Sequence, residues 1–336
     1  MKKLHTIIIA EVGVNHNGSL KLAKKLIDAA KKCKADYVKF QIYKTQEIIK
    51  EKTSTAIYQK KNTRIKNQFN LLKNLELTDN NVYELIKYCK KKKISFLSSP
   101  FDLQSVNLIF KYKIFDIKIA SGEINNYILL KKISQKAKKV FLSTGMSNLK
   151  EVVSAINILT KNGTKKKNIS VLHCHSDYPT ELKDVNLLAM KHIEKKMKIN
   201  IGYSDHTTGN ETSISAVALG ATVLEKHITL NKKMNGPDHK ASMEPKEFEA
   251  FVKSIRKTEI LLGKSVKKPT KKELKNKPLV RKSIVARKNI YKGEKFNEQN
   301  ITCKRPEGGI SAIQWQKVIG KKSIFFFKTN EFIKLK

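Results

Sequence analysis

Two lysines, two histidines and a set of serines in this chain stand beside or inside apolar runs, where their chemistry is not explained by solvation. Lys39 and Lys118 lie within or at the tips of such runs. An ammonium group that cannot reach water is costly unless paired, so positions of this kind commonly serve an anion. Ser99, Ser121, Ser143 and Ser204 close other apolar runs. Together with backbone N–H groups they could ring a phosphate or a carboxylate, the lysines supplying charge. Taken singly, each serine reads as a turn residue, and a lysine at a strand end can snorkel to water. His206 and His227 end neighbouring runs, so both rings could reach one divalent ion, which neutral imidazole binds well. A buried, hydrogen-bonded pair of histidines would leave the same pattern. Glu11 and Glu123 have the type and placement of acid–base groups, yet either could instead cap a helix or pair with a lysine. His173 and His175 read as structural or hydrogen-bonding residues.

Such groups need a frame that brings them together. Apolar, β-branched runs occur at 5–12, 36–41, 94–99, 115–121, 139–144, 169–174, 199–204 and 221–228. Stretches with helical spacing lie between them, for example 149–159 and 245–262. Short runs without strict alternation suit parallel strands covered on both faces. Eight strand–helix units within residues 1–263 match the ~250 residues of a (β/α)8 TIM barrel, whose catalytic groups gather at the carboxyl ends of the strands. An open doubly wound sheet is the rival, but no GxGxxG follows the first run. Gln41 follows Lys39 at i+2 and shares its strand face. Residues 264–280 are basic, carry prolines and read as a linker. Residues 281–336 read as a small mostly-β module with strand-like pieces at 283–286 and 323–327.

The chain has 336 residues, 69 Lys+Arg against 29 Asp+Glu, a net charge of +40 and 40% hydrophobic residues. That apolar share supports a sizeable core and excludes a wholly disordered chain. No apolar run approaches the ~20 residues that cross a bilayer, and Glu11 cuts the first run too short for a signal-peptide core. Cys33, Cys89, Cys174 and Cys303 are scattered, as expected of reduced thiols in a cytoplasmic protein. The positive charge would suit polyanions, and a polyanion-binding barrel is the non-enzyme alternative. Its lysines are spread along the chain, however, with no interleaved aromatic stripe, and only 264–277 is a dense run. A specific nucleic-acid partner is therefore not expected. A metal-dependent hydrolase would need more ligands, and the first run ends without HxH.

Several motifs resemble the sialic acid synthase family. They are AEVGVNHNGS (10–19), VKFQ (38–41), SSPFD (98–102), IASGE (119–123), LSTGM (142–146), GYSDHT (202–207), EKHIT (225–229) and GPDHKASMEP (236–245). CKRPEGGIS (303–311) resembles that family's C-terminal antifreeze-like (SAF) domain. Of the family's branches the chain looks most like bacterial N-acetylneuraminate synthases, with legionaminate and pseudaminate synthases as near relatives. The resemblance implies condensation of phosphoenolpyruvate with an N-acetylated hexose, N-acetylmannosamine or a 2,4-diacetamido-6-deoxy sugar, with release of phosphate. It implies that Lys39, Ser99, Lys118, Ser121, Ser143 and Ser204 hold phosphoenolpyruvate. His206 and His227 would hold Mn2+ or Mg2+. Glu11, Gln41, Asn62, Glu123, Tyr178 and Asp238 would face the sugar, and Arg305 would reach the partner's site in a domain-swapped homodimer. Two positions depart from the pattern: Ser176 stands where some relatives have asparagine, and Glu307 occupies a usual glycine, which matters if that position needs positive φ.

Overall fold

Alternation is missing from the apolar runs because nearly every strand position is buried, one face against helices and the other in a closed lumen. The computed structural model describes residues 5–55, 63 and 65–336; Asn62 lies outside the described residues. Eight parallel strands close in chain order: β1 (Ile7–Gly13), β2 (Tyr37–Ile42), β3 (Ser95–Pro100), β4 (Asp116–Ile119), β5 (Lys139–Ser143), β6 (Ile169–Cys174), β7 (Asn200–Asp205) and β8 (Val223–His227). β8 pairs with β1, which seals the ring. The expected (β/α)8 barrel is therefore the observed fold, with strand limits close to the apolar runs.

The helices between the strands form for local reasons. Leu20–Lys32 starts on Ser19, whose hydroxyl accepts from Leu22 N, and buries Ala23, Leu26, Ile27 and Ala30 on one face. Leu149–Lys161 opens with a reciprocal capping box between Asn148 and Glu151. Pro245–Leu262 begins with proline in its first turn and lays Phe248, Phe251, Val252 and Ile255 on the barrel. Inside the lumen, Ile9, Tyr37, Leu97, Phe141, Leu172 and Val223 form an apolar layer. Each comes from a different strand, and together they pack the barrel interior. No helix among the described residues is long and apolar enough to cross a membrane.

Contacts divide the chain into two units, Met1–Gly263 and Lys264–Lys336. In the second, β9 (Ser283–Ala286) pairs antiparallel with β10 (Ile301–Lys304) over a core that includes Ile284, Ile290, Phe296, Val318, Phe327 and Ile333. The sequence differs from its expected reading here in two ways. The stretch taken as linker contains a helix, Lys271–Val280, started by a Thr270–Glu273 capping box. The piece at 323–327 forms no strand; it meets residues 290–294 through the isolated bridge Ile290↔Phe327 and through Gly293 N to Ser323 O and Ser323 N to Glu294 O, both 2.7 Å. Glu307 is not among the residues with positive φ, so a side chain is tolerated there. The Ser283 hydroxyl accepts from Gly308 N and Gly309 N at 3.1 Å and fixes the loop that follows Arg305.

Candidate active site

Two residues past the apolar layer, the inward positions become polar. Glu11, Lys39, Ser99, Ser143, Cys174, Ser204 and Glu225 line a cavity of about 680 Å³, together with Gln41, Lys118 and His227. Loops just beyond the strand ends add Ser121, Glu123, Ser176, Tyr178 and His206. A cavity of this size at the carboxyl end of a barrel is the ordinary place for a small-molecule site.

Its floor is a chain of alternating charge. Lys39 Nζ lies 3.2 Å from Glu11 Oε1 and 3.2 Å from Glu225 Oε2, and it donates to Ser99 Oγ at 3.2 Å. Lys118 Nζ is 4.0 Å from Glu225 Oε1 and donates to the Ile119 carbonyl at 3.1 Å. Ser204 Oγ donates to Glu225 Oε1 at 3.0 Å. All four charged side chains are buried, so solvation and pairing compete strongly. Burial acts to raise Glu225, but the ammonium groups of Lys118 and Lys39 prevail and hold its carboxyl at about 2. Glu11 goes the other way: burial, outweighing the attraction of Lys39, pushes it up to about 7. Burial draws Lys118 down to about 8 against the pull of Glu225. The floor thus holds two ammonium groups, one firm carboxylate and one carboxyl whose protonated form burial favours. That balance suits an anion.

Some groups here are buried without a hydrogen-bond partner among the described residues: Ser143 Oγ, Glu11 Oε2 and His227 Nδ1. Buried polar atoms are nearly always paired, so orphans lining a cavity mark groups that a ligand satisfies. Gln41 Nε2 donates to Glu11 Oε1 at 3.4 Å. Ser121 Oγ lies 3.2 Å from Cys174 Sγ and accepts from Gly145 N at 3.0 Å. A side chain at Gly145 would run into Ser176 Oγ and Ser121 Oγ, so only glycine lets the backbone approach the cavity here.

The two histidines stand side by side, ring centroids 5.5 Å apart, and Tyr178 stacks on His206 at 4.1 Å. His206 Nδ1 is 2.6 Å from the His175 carbonyl, so that nitrogen carries the proton and Nε2 keeps its lone pair. Burial lowers His206 to about 4, and burial with the neighbouring His206 ring lowers His227 well below its ordinary value. Both are neutral, the state in which imidazole binds a metal ion. The pair fits a divalent transition ion. Among the described residues no cluster of three or more His, Cys, Asp or Glu can hold a metal, so two imidazoles would leave positions open for substrate and water.

Not every expected residue joins the cavity. Glu123, in the 3-10 turn Ser121–Glu123 after β4, lines it with its carboxylate accepting from Asn126 Nδ2 at 2.7 Å. Asp238 is buried but absent from the lining; burial raises it to about 6, and its charge helps raise the phenol of Tyr43. Arg305 is exposed in the second unit. His173 is structural, its Nε2 lying 3.0 Å from the Val185 carbonyl. Glu225 had no assigned role in the sequence, although its i−2 spacing from His227 places both on the lumen face. The upper wall is formed by Tyr43, Ile48, Ile49, Leu72, Phe101 and Met146 beside Thr53 and Gln68; of these, Phe101 and Met146 fall within the motifs, where neither was given a role.

A closed (β/α)8 barrel with ionisable, hydroxyl and imidazole groups gathered at one end defines a TIM-barrel enzyme. The sequence profile of the NeuB family matches residues 26–267, and that of the SAF domain matches 281–336. An N,N'-diacetyllegionaminic acid synthase from Campylobacter jejuni is 49% identical over 99% of this chain and 100% of its own length. A protein of the same name from Legionella pneumophila is 40% identical, covering 94% of this chain and 89% of its own. The crystal structure of an N-acetylneuraminic acid synthetase from Leptospira borgpetersenii has a TM-score of 0.73 and 34% identity, over 81% of this chain and 90% of that one. The chain belongs to the sialic acid synthase family, whose members build nonulosonic acids from phosphoenolpyruvate and an acetylated hexose. It is a transferase-type enzyme.

Proposed function

We propose that the chain condenses phosphoenolpyruvate with a 2,4-diacetamido-6-deoxy hexose of the legionaminic type, giving a nine-carbon 2-keto acid and inorganic phosphate. The observation that carries the reaction is the buried floor of Lys39 and Lys118 with unpartnered hydroxyl and carboxyl groups around it. Two features favour this sugar over N-acetylmannosamine, the acceptor first suggested by the motifs. The relatives at 49% and 40% identity both carry the legionaminic name, against 34% for the solved N-acetylneuraminic acid synthetase. The apolar part of the upper wall suits a methyl group better than a hydroxymethyl, and Thr53 and Gln68 beside it offer hydrogen-bonding groups to a second acetamido.

In this reading Lys39, Lys118, Ser99, Ser121, Ser143 and Ser204 hold the phosphate and carboxylate, so that the enol carbon meets the sugar aldehyde in a fixed pose. A divalent ion, Mn2+ or Mg2+, held by His206 and His227 would supply Lewis-acid stabilisation at the aldehyde oxygen. As the new C–C bond forms, Glu11 gives its proton to that oxygen, a role its pKa of about 7 permits. Water then adds to C2, and the C–O bond to phosphate breaks. Gln41, Glu123 and Tyr178 orient the sugar. The test is phosphate release from phosphoenolpyruvate by Mn2+-loaded protein. The diacetamido sugar should be turned over with a kcat/KM at least about tenfold above that of N-acetylmannosamine, the order one or two altered pocket contacts give. No release with either sugar sinks the reaction; equal rates sink the sugar assignment.

Arg305 is proposed to act in the site of a second copy. Mixing inactive Arg305→Ala chains with inactive His206→Ala chains should then restore turnover, because some mixed dimers hold one intact site. Mixtures that stay inactive after subunit exchange would exclude shared sites.

A further inference from the structure

The ladder between β7 and β8 ends at the pair Asp205↔Lys226. His206 follows Asp205 directly, one residue beyond that ladder, whereas His227 is still paired to Glu11 of β1. Backbone pairing therefore ties His227 to β1, whereas His206 lies outside the β7–β8 ladder and is tied instead to the loop after β6, its carbonyl accepting from Thr180 N at 3.0 Å. On the strand face opposite the cavity, a dense polar cluster occupies this spot. Lys226 Nζ lies 2.9 Å from Asp205 Oδ2 and donates to the Thr207 carbonyl at 2.6 Å. Asp205 Oδ1 accepts from Thr207 N at 2.8 Å and from Thr207 Oγ1 at 2.7 Å, and Ser213 Oγ donates to Oδ2 at 2.6 Å. Both charged side chains are almost wholly buried. A hydrophobic pair would hold two strands together at least as well, so a buried ion pair here calls for a reason other than stability.

We infer that Asp205 and Lys226 are positioning residues that set the spacing of His206 and His227. The cluster clamps the residues on both sides of His206, and its lysine precedes His227. It thereby continues the β7–β8 pairing past the point where the ladder stops. Alternation turns these side chains away from the lumen and the histidines into it, so the brace touches neither substrate nor ion. The inference rests on the two-histidine metal reading given above, and it concerns geometry rather than charge at the ion.

The variant that removes both charges together, Asp205→Asn with Lys226→Met, avoids stranding one of them. Mn2+ binding is read by the electron paramagnetic resonance of free ion, and folding by urea unfolding. The Mn2+ dissociation constant should rise about 10- to 100-fold, the range seen when partners that orient metal ligands are lost. Turnover at saturating Mn2+ should largely return, with an unchanged KM for phosphoenolpyruvate. A folded double variant with wild-type Mn2+ affinity overturns the inference. If the double variant fails to fold, Ser213→Ala replaces it: weaker Mn2+ binding with wild-type unfolding supports the brace, and unchanged binding overturns it. If the wild-type protein itself binds no Mn2+, the metal reading fails. The brace is then judged on metal-free crystal structures: rings that keep their 5.5 Å separation in the variant overturn it, and altered separation supports it.

Discussion

Two rings of inward side chains, one step of strand alternation apart, divide the barrel interior. The lower ring is Ile9, Tyr37, Leu97, Phe141, Leu172 and Val223. On the same six strands the upper ring is Glu11, Lys39, Ser99, Ser143, Cys174 and Glu225. Every member of the upper ring lies two residues after its partner in the lower. The lower ring is well packed, with Tyr37 edge-on to Phe141 at 5.8 Å and its hydroxyl donating to Asp116 Oδ2 at 2.7 Å. The upper ring holds orphaned atoms and carboxyl groups shifted in opposite directions. The contrast teaches that the fold is secured below so that costly, incompletely paired groups can be tolerated above.

Substitutions on a single strand can break that contrast. Phe141→Ala should lower unfolding free energy by about 3–5 kcal/mol, the usual cost of emptying a core aromatic, and leave the KM for phosphoenolpyruvate within about twofold where the protein is still folded. A large KM change would show that the rings are not separable. Ser143→Ala, two residues on, should do the reverse. Removing an unpartnered hydroxyl costs the fold nothing measurable, but KM for phosphoenolpyruvate should rise about tenfold, one hydrogen bond to a charged group being worth about 1.5 kcal/mol or more. Destabilisation without a KM change would place Ser143 in the lower ring's role. A pH profile sharpens the picture at Glu11. Its pKa is raised from 4.5 to about 7, so the acid form prevails below pH 7 and is lost above it. If Glu11 donates the proton, kcat/KM should fall above pH 7, approaching tenfold per unit. A rise with pH over that range would make it a base instead.

Much of this barrel is legible in the sequence because its strands are short, covered on both faces and ended by polar residues. The run at 169–174 coincides with β6, and 139–144 differs from β5 by one residue. Lys39, Lys118, His206 and His227, which line the cavity, stood out as candidates because each type is costly in the apolar context that surrounds it. Glu225 was less visible: a carboxylate next to a lysine in sequence can be neutralised by that neighbour, whereas strand alternation sends the two to opposite faces. The apolar wall of Ile48, Leu72 and Phe101 was hidden because such residues look like core wherever they occur, and only the fold shows them bordering a cavity. In the tail, the Thr270–Glu273 capping box was a helix signal outweighed by the prolines and lysines around it.

The bulge in β1 bears on how this scaffold can change. Register slips between Glu11 and Gly13, where Gly13 takes a φ of +55° and a side chain would press on the Glu11 carboxylate. The β1–β8 ladder ends at Glu11↔His227, beside this slip, so the loop after Gly13 starts outside the pairing that holds the charged floor. A catalyst built this way can acquire a taste for new acceptors by rewriting its rim, generation after generation, and never reopen the question of how it grips its common donor.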